Sequence, residues 1–257
     1  MRLKALIFDV DGTLAETERD GHRPAFNRAF ADRCLHWNWD ETLYGRLLNV
    51  TGGKERMFHF SNEYLGANER PEDLDTLVPE LHAAKNRHFA SIIEAGEIAL
   101  RPGIRRILQE AHKSGIRLAI ATTTTRVNVV ALLESLLGND AIDWFEVIAT
   151  ADEVPDKKPC PDVYQYVLDQ MDVAAGDCIA IEDSENGIKA SVALGIPTLV
   201  TVSEYNRDGD FSDALLIVDH LGDSDQPCSV QGGHAAKLVG EGVAVVDLAL
   251  LDSILPS

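Results

Sequence analysis

The sequence is poor in basic residues. Its 257 residues include 23 Lys and Arg against 42 Asp and Glu, which gives a formal net charge of −19 at pH 7. Nucleic acids and anionic membranes are bound by clustered Lys and Arg, so this balance predicts that the chain binds neither. A small phosphorylated substrate is compatible with the charge, because it needs only a few local cations.

Long apolar runs and metal-type cysteine spacings are also missing. No run of about 18 apolar residues occurs, and the sequence therefore predicts no transmembrane helix. The four cysteines, Cys34, Cys160, Cys178 and Cys228, are scattered, which favours reduced thiols in a cytoplasmic protein. Hydrophobic residues make up 45% of the chain, enough to bury the core of one large domain or of one domain and a smaller one.

Strand-like apolar runs recur along the chain with helical stretches between them. The runs are LKALIFDV, IRLAIATTT, FEVIATAD, DCIAIED and IPTLVTVSEY, and the helical stretches include GIRRILQEAHKSG and VVALLESLLG. Strands that alternate with helices are typical of a parallel sheet covered on both faces. The sequence therefore predicts an α/β fold with a doubly wound parallel sheet.

Residues 19–97 differ, because they carry apolar residues at helical spacing and no convincing strand. We predict a core domain of residues 1–16 and 99–257, and an inserted α-helical cap domain of residues 17–98. The insertion follows the first strand at its carboxyl end, where α/β proteins bind ligands, so it is a candidate lid. Near the carboxyl end of the chain, VAVVDLALLDSIL predicts a strand followed by a short helix.

Chemistry-bearing residues follow the predicted strands. Asp9 and Asp11 end the first run, Thr122–Thr125 end the second, and Glu182-Asp183 end the fourth. Lys157-Lys158 precedes a Pro-x-Pro-Asp sequence that opens a helix. Since parallel strands end at the same edge of a sheet, these groups are expected to meet at one rim.

This ordered set resembles the four motifs of the haloacid dehalogenase-like superfamily of phosphotransferases, whose core is a Rossmann-like sheet. The resemblance implies that Asp9 is the nucleophile and forms an aspartyl-phosphate. It implies that Asp11 protonates the leaving oxygen and then activates water. Thr122 would donate its hydroxyl to the phosphoryl oxygens, and Lys158 would offset the negative charge of Asp9 and the phosphoryl group.

The resemblance also implies a Mg²⁺ site. Two carboxylates as close as Asp9 and Asp11 repel each other, and a divalent cation relieves that repulsion. The implied ligands are Asp9, the backbone carbonyl of Asp11 and Asp183, with Glu182 either in the ligand shell or next to it. Hard oxygen ligands in an incomplete protein cage suit Mg²⁺.

The cap narrows the resemblance to the CbbY-type sugar-phosphate phosphatases, close to those that hydrolyse xylulose 1,5-bisphosphate. Glu18 in AETERDGHRPAFNRAF would gather sugar hydroxyls, and the turn in NVTGGKERM would bind the second phosphate through backbone amides, Lys54 and Arg56. The predicted substrate-binding residues are Glu18, Thr51, Gly52, Gly53, Lys54, Glu55, Lys85, Thr122, Thr123 and Thr124. We expect a monomeric enzyme of carbohydrate metabolism.

Three alternatives stay open at this point. A β-phosphoglucomutase-like enzyme carries a His three residues after the position of Glu18, where this chain has Gly21, and His22 comes one residue later. A local bulge would restore that histidine. A broad-specificity sugar- or polyol-phosphate phosphatase would carry the same core. A non-catalytic binding or regulatory protein is disfavoured, because Asp9, Asp11, Lys158 and Asp183 are all present.

Overall fold

A computed structural model describes residues 2–66, 68–240 and 242–256. Among these residues, the strands are β1 Ala5–Phe8, β2 Arg117–Ala121, β3 Phe145–Ala149, β4 Cys178–Glu182, β5 Thr198–Thr201, β6 Leu216–Val218 and β7 Val230–Gly232. They form one sheet in the order β3-β2-β1-β4-β5-β6-β7. The pairings are parallel except for the antiparallel pair of β6 with β7.

The helices alternate with these strands, and the predicted doubly wound parallel sheet is confirmed. They are α1 Arg23–Asp32, α2 Glu41–Leu47, α3 Gly53–Tyr64, α4 Leu74–Glu94, α5 Ile104–Ser114, α6 Arg126–Leu137, α7 Asp162–Met171, α8 Glu185–Val192, α9 Ala236–Val239 and α10 Leu248–Ile254. In the described part of the chain, no helix combines the length and the apolar character that crossing a membrane requires.

Strand β1 lies in the interior of the sheet, between β2 and β4, and is buried along its whole length. Its last residue, Phe8, pairs with Ile120 of β2 on one side and with Ile181 of β4 on the other. The strand order reverses at β1, so the residues that follow it lie at the topological switch point of the sheet. The chain therefore places Asp9 where α/β proteins bind ligands.

The described residues divide into two compact units. One, the core unit, comprises residues 1–16 and 99–257, and the other, the helical unit, comprises residues 17–98. The core unit holds the sheet and α5 to α10, while α1 to α4 belong to the helical unit. Between sheet and α7, the core unit buries apolar side chains that include Ile7, Ala119, Val163, Val167 and Met171.

The helical unit has its own aromatic core. Trp39 lies 4.7 Å from Phe26 and 4.9 Å from Phe30 between ring centroids, and Trp37 and Phe60 extend the cluster. Aromatic pairs at such distances contribute about 0.5–1.5 kcal/mol each beyond their buried area. The helical unit thus packs a hydrophobic core of its own, made without a sheet.

The carboxyl-terminal region departs from the prediction. The helix predicted in VAVVDLALLDSIL is present as α10, but residues 243–247 form no strand. Their backbone bonds go to loops instead, since Val246 N donates to Leu221 O and Ala244 O accepts from Cys228 N, each at 2.8 Å. The β-branched residues suggested a strand, but these loop contacts take up the backbone groups of the segment. The structure also contains strands β6 and β7, which the prediction lacked, and β6 pairs with β5.

Candidate active site

Three acidic side chains meet at the carboxyl edge of the sheet in the core unit. Asp9 follows β1, Glu182 ends β4, and Asp183 comes next in sequence. Each offers a carboxylate oxygen within 4.8 Å of the others, and all three residues are buried. The strand ends that carry the predicted nucleophile and the predicted metal ligands are thus adjacent.

Lys158 links this acidic cluster. It lies on the loop between β3 and α7, and only 4% of its surface is exposed. Its Nζ donates to Asp9 Oδ1 at 2.7 Å, to Glu182 Oε1 at 2.5 Å and to the carbonyl oxygen of Ala121 at 2.8 Å. All three donor positions of the ammonium are therefore used within the protein.

Glu182 is held on both of its carboxylate oxygens. Tyr164 Oη donates to Oε1 at 2.5 Å, next to the bond from Lys158, while Asp183 N donates to Oε2 at 3.3 Å. A Cβ at Gly187 would overlap this carboxylate, so glycine leaves the room that Glu182 occupies. Glu182 thus orients Lys158, and it is adjacent in sequence to Asp183, the predicted metal ligand.

The charges in this cluster are unbalanced. Burial raises the pKa of Asp9 to about 8, against the lowering effect of Lys158, and Glu182 and Asp11 raise it further. For Lys158, burial lowers the pKa, but the carboxylates of Asp9 and Glu182 outweigh burial and raise it above its ordinary value. With all three carboxylates ionised, the one buried ammonium would leave negative charge that a divalent cation would balance, and carboxylate oxygens suit a hard cation.

Asp11 lies in a turn that brings the chain against Asp183. Gly12 has a φ of +81°, and a Cβ at this position would overlap Asp183 Oδ2. A side chain is therefore excluded directly after Asp11 both by backbone conformation and by space. Asp11 itself is only partly buried.

The threonines after β2 form the next part of the rim. Thr122 is buried, its N–H donates to the carbonyl of Ala149 at 3.0 Å, and its Oγ1 accepts from Thr124 N at 3.3 Å. That acceptance fixes the hydroxyl oxygen and leaves its proton to donate elsewhere. Thr123 and Thr124 are partly buried, and Thr125 is the N-cap residue of α6.

In the helical unit, Glu18 belongs to a hydrogen-bonded chain of side chains. Tyr44 Oη donates to Glu18 Oε2 at 2.5 Å, and Arg56 Nη1 donates to Tyr44 Oη at 3.0 Å. Arg56 is buried, and its Nε donates to the carbonyl oxygen of Leu47 at 3.1 Å. The charge of Arg56, expected on the phosphate-binding turn, is therefore directed into the helical unit.

The predicted phosphate-binding turn leads into α3. Gly52 is its N-cap residue with a φ of +98°, which favours glycine. Lys54 and Glu55 are exposed on the first turn, while Thr51 and Gly53 are partly buried. The first turn of a helix carries amide groups that point along the helix axis, and helix N-termini of this kind favour an anion.

Lys85 lies elsewhere in the helical unit, on α4. It is buried, and its Nζ lies 4.9 Å from the ring centroid of Phe89 and 5.3 Å from that of Phe26. His22 stacks on the same Phe89 at 4.0 Å between ring centroids. Lys85 thus lies buried among aromatic rings, whereas Lys54 is exposed.

Three residues of the core unit were not predicted from the sequence. Tyr164 bonds Glu182, Asn206 Nδ2 donates to Asp183 Oδ2, and Arg101 donates to the carbonyl of Gly12. The apolar period of α7 predicts that Tyr164 is buried but not which carboxylate its hydroxyl meets. Asn206 lies in a loop and Arg101 precedes a helix, so no periodic signal connects either of them with the acidic cluster.

Comparison with known proteins agrees with this geometry. The family model of haloacid dehalogenase-like hydrolases matches residues 3–195. Protein CbbY of Cupriavidus necator is 48% identical over 225 residues, which are 88% of each chain. A phosphorylated carbohydrates phosphatase of Thermotoga maritima is 27% identical over 80% of this chain and 88% of its own.

A solved structure extends the match to three dimensions. A CbbY variant from Rhodobacter sphaeroides, crystallised with xylulose 1,5-bisphosphate, is 43% identical and superposes with a TM-score of 0.78 over 85% of this chain and 94% of that one. Four motifs, a matching sheet and long, highly identical alignments lead to the same assignment. The chain belongs to the haloacid dehalogenase-like hydrolase family, in its CbbY group, and is an enzyme of the phosphatase class.

Proposed function

We propose that this phosphatase is a Mg²⁺-dependent enzyme that acts through an aspartyl-phosphate and removes a phosphate from xylulose 1,5-bisphosphate. The observation that carries the mechanism is the buried cluster of Asp9, Glu182 and Asp183, with the Lys158 ammonium bonded to the first two. A carboxylate nucleophile that faces a phosphate dianion needs positive charge close by, which the Lys158 ammonium supplies and a divalent cation held by the carboxylates would add.

The reaction has two steps. An Asp9 carboxylate oxygen attacks phosphorus, the bond from phosphorus to the sugar oxygen breaks, and Asp11 gives its proton to that oxygen. Asp11, now ionised, takes a proton from water, which attacks phosphorus and releases inorganic phosphate and free Asp9. When bound by Asp9, Asp183 and the Asp11 carbonyl, Mg²⁺ neutralises carboxylate and phosphoryl charge. Lys158 and the Thr122 hydroxyl stabilise the transferring phosphoryl group.

The substrate assignment has separate support. The Rhodobacter sphaeroides relative was crystallised with xylulose 1,5-bisphosphate, and nearly half of the aligned residues are shared with the Cupriavidus necator protein. We propose that Glu18, oriented by Tyr44, accepts hydrogen bonds from sugar hydroxyls, and that the residues Thr51 to Glu55 and Lys85 serve binding of the substrate. Thr123 and Thr124 join Thr122 in binding the phosphate at Asp9.

Phosphate release from a panel of phosphate esters tests this proposal. With Mg²⁺ present, xylulose 1,5-bisphosphate is expected to exceed ribulose 1,5-bisphosphate, fructose 1,6-bisphosphate and 2-phosphoglycolate in kcat/KM by at least about tenfold, which corresponds to roughly 1.4 kcal/mol. EDTA is expected to abolish release, and Mg²⁺ to restore it. A flat profile across the panel would instead indicate a broad-specificity phosphatase.

Lys54→Ala tests the phosphate-binding turn. Removal of one charged contact to the second phosphate is expected to lower kcat/KM for xylulose 1,5-bisphosphate by about 10- to 100-fold, because such contacts contribute roughly 1.5–3 kcal/mol. Turnover of a monophosphate should change by no more than about twofold, as for any exposed substitution. Arg87→Ala, another exposed cation of the helical unit, is the matched control. Equal loss on both substrates would refute the role of Lys54.

A mutase is the second candidate, and one observation favours it. Residues Glu18–His22 form a single π-helical turn in which Arg23 N bonds to Glu18 O, five residues earlier. Such a turn accommodates one extra residue, which is the local bulge that would compensate for the shift of His22. Isomerisation of β-glucose 1-phosphate without release of phosphate would support the mutase and contradict the phosphatase reaction proposed here.

Two further expectations complete the proposal. We infer that the enzyme works as a monomer on a small-molecule substrate. We also infer that it is located in the cytoplasm. A single peak at about the monomer mass in size-exclusion chromatography with light scattering would support the first. Fractionation of cells that express the protein tests the second.

A further inference from the structure

The Asp183 carboxylate has a polar neighbour that the reaction scheme above does not use. Asn206 Nδ2 donates to Asp183 Oδ2 at 2.6 Å and to Ser203 Oγ at 3.1 Å. A carboxylate accepts hydrogen bonds and donates none, so the NH₂ side of the amide has to face Asp183. Asp183 is buried, and this charge-assisted bond compensates part of the hydration that the carboxylate has lost.

The loop that carries Asn206 is fixed close to Asp183. It follows β5, whose Val200 pairs with Glu182 of β4, so both segments leave the sheet at the same edge. Asn206 N donates to Ser203 O at 3.3 Å, which closes a turn, and Gly209 N donates to Asn206 O at 2.9 Å. The amide group is therefore presented by a structured turn rather than by a free loop end.

Asp183 Oδ2 is confined on a second side. A Cβ at Gly12 would overlap this oxygen, so the backbone after Asp11 lies directly against it. Between Gly12 and the Asn206 amide, Oδ2 is occupied, and rotation of the carboxylate is restricted. These two neighbours thereby set the orientation of the Asp183 carboxylate, which belongs to the same acidic cluster as Asp9.

We propose that Asn206 is a positioning residue for the divalent metal: its bond to Asp183 Oδ2 fixes the orientation in which the Asp183 carboxylate meets the cation. This inference rests on the metal dependence in the proposed function. Residues that orient metal ligands typically change metal affinity by about 10- to 100-fold when they are replaced. Asn206 acts on the metal through Asp183 and does not itself take part in bond breaking.

Metal binding without substrate is the direct test. Mn²⁺ alone is titrated into metal-free protein, and free aqueous Mn²⁺ is measured by electron paramagnetic resonance. Asn206→Leu, of similar size but without a donor, is expected to raise the Mn²⁺ dissociation constant by about 10- to 100-fold. Asn206→Ala also removes the amide donor, and it serves as the test if the leucine variant does not fold. Glu204→Gln, an exposed position of the same turn, should change the constant by no more than about twofold.

Steady-state kinetics separate positioning from a purely structural role. The Mg²⁺ concentration for half-maximal activity should rise in the Asn206 variants by the same factor as the dissociation constant, and kcat at saturating Mg²⁺ should largely recover. A lower melting temperature with unchanged Mn²⁺ affinity would overturn the inference.

Asp183→Asn distinguishes failure of this inference from failure of the proposed function. If wild type binds Mn²⁺ and Asp183→Asn does not, but both folded Asn206 variants bind as wild type, only the role of Asn206 is wrong. If wild type binds neither Mn²⁺ nor Mg²⁺, or if Asp183→Asn binds Mn²⁺ as tightly as wild type, the metal site is wrong and both proposals fail.

Discussion

Replacing Asp9 by Asn is expected to lower phosphate release by at least about 10³-fold, because loss of a catalytic nucleophile removes the covalent route altogether. An amide oxygen is a far weaker nucleophile than a carboxylate oxygen. The neutral amide also loses the ion pair with Lys158, whose Nζ lies 2.7 Å from Asp9 Oδ1. Substrate binding should persist, since the groups proposed to bind the sugar and the second phosphate are unchanged.

The covalent intermediate gives this prediction a second measurement. Acid quenching of wild type with ³²P-labelled substrate should leave label on the protein, and the Asp9→Asn variant should carry none. Asp156→Asn makes the same chemical change at an exposed loop position and should retain turnover within about twofold. If Asp9→Asn kept more than about a hundredth of wild-type turnover, the nucleophile assignment would be wrong.

The Asp9→Asn substitution should lower activity but should not lower the thermal stability of the metal-free protein. Burial raises the pKa of Asp9 to about 8, so in metal-free protein the folded state binds a proton at Asp9 more tightly than the unfolded state does. Ionised Asp9 therefore opposes folding, and this penalty grows as the pH rises from about 4 to about 8. The metal-free Asp9→Asn protein should unfold at a temperature no lower than wild type at pH 8, which also verifies that it is folded.

The sheet could be predicted from the sequence because its strands are short apolar runs with clear ends. Strands β1 and β4, which lie within two of these runs, are fully buried, and burial on both faces gives a continuous apolar run rather than alternation. Their ends carry Asp9 and Glu182-Asp183, and parallel pairing brings those ends together. The meeting of Asp9, Lys158, Glu182 and Asp183 thus follows from strand order and local sequence.

Other parts could not be predicted, because they depend on contacts between residues far apart in the chain. The segment 243–247 has the composition of a strand, but its backbone groups bond to Leu221 and Cys228. The Asn206–Asp183 bond joins a turn after β5 to the end of β4. Likewise, Arg56 was expected to supply charge to the turn before α3, and only the structure reveals its bond to Tyr44.

Arg101 is the residue of this kind with the largest expected effect on stability. It is 5% exposed and donates to the carbonyl oxygens of Gly12, Thr201, Val202 and Asp219. It also forms an ion pair with Glu16 at 3.2 Å. One guanidinium thus joins the turn after Asp11 to the segment from β5 that leads to Asn206.

Arg101→Ala is expected to lower the free energy of unfolding by about 3–5 kcal/mol, because it leaves buried acceptors and the Glu16 carboxylate without their donor. Urea unfolding followed by circular dichroism measures the change. Arg101→Lys keeps the charge but not the planar fork of donors, so its loss should be intermediate. Arg105→Ala, an exposed arginine on α5, should cost no more than about 0.5 kcal/mol.

Activity should fall most in Arg101→Ala, less in Arg101→Lys and least in Arg105→Ala, the same order as stability. The reason is that Arg101 contacts segments next to the acidic cluster. The Gly12 carbonyl directly follows Asp11, and Val202 directly precedes the turn that closes at Asn206. With the guanidinium removed, Asp11, the proposed acid–base residue, and Asn206, proposed to orient Asp183, lose a common anchor. Arg101→Ala should therefore show a lower kcat and weaker Mn²⁺ binding even at low temperature, where the variant is folded. A variant that lost less than about 1 kcal/mol of stability would show that surrounding donors replace Arg101.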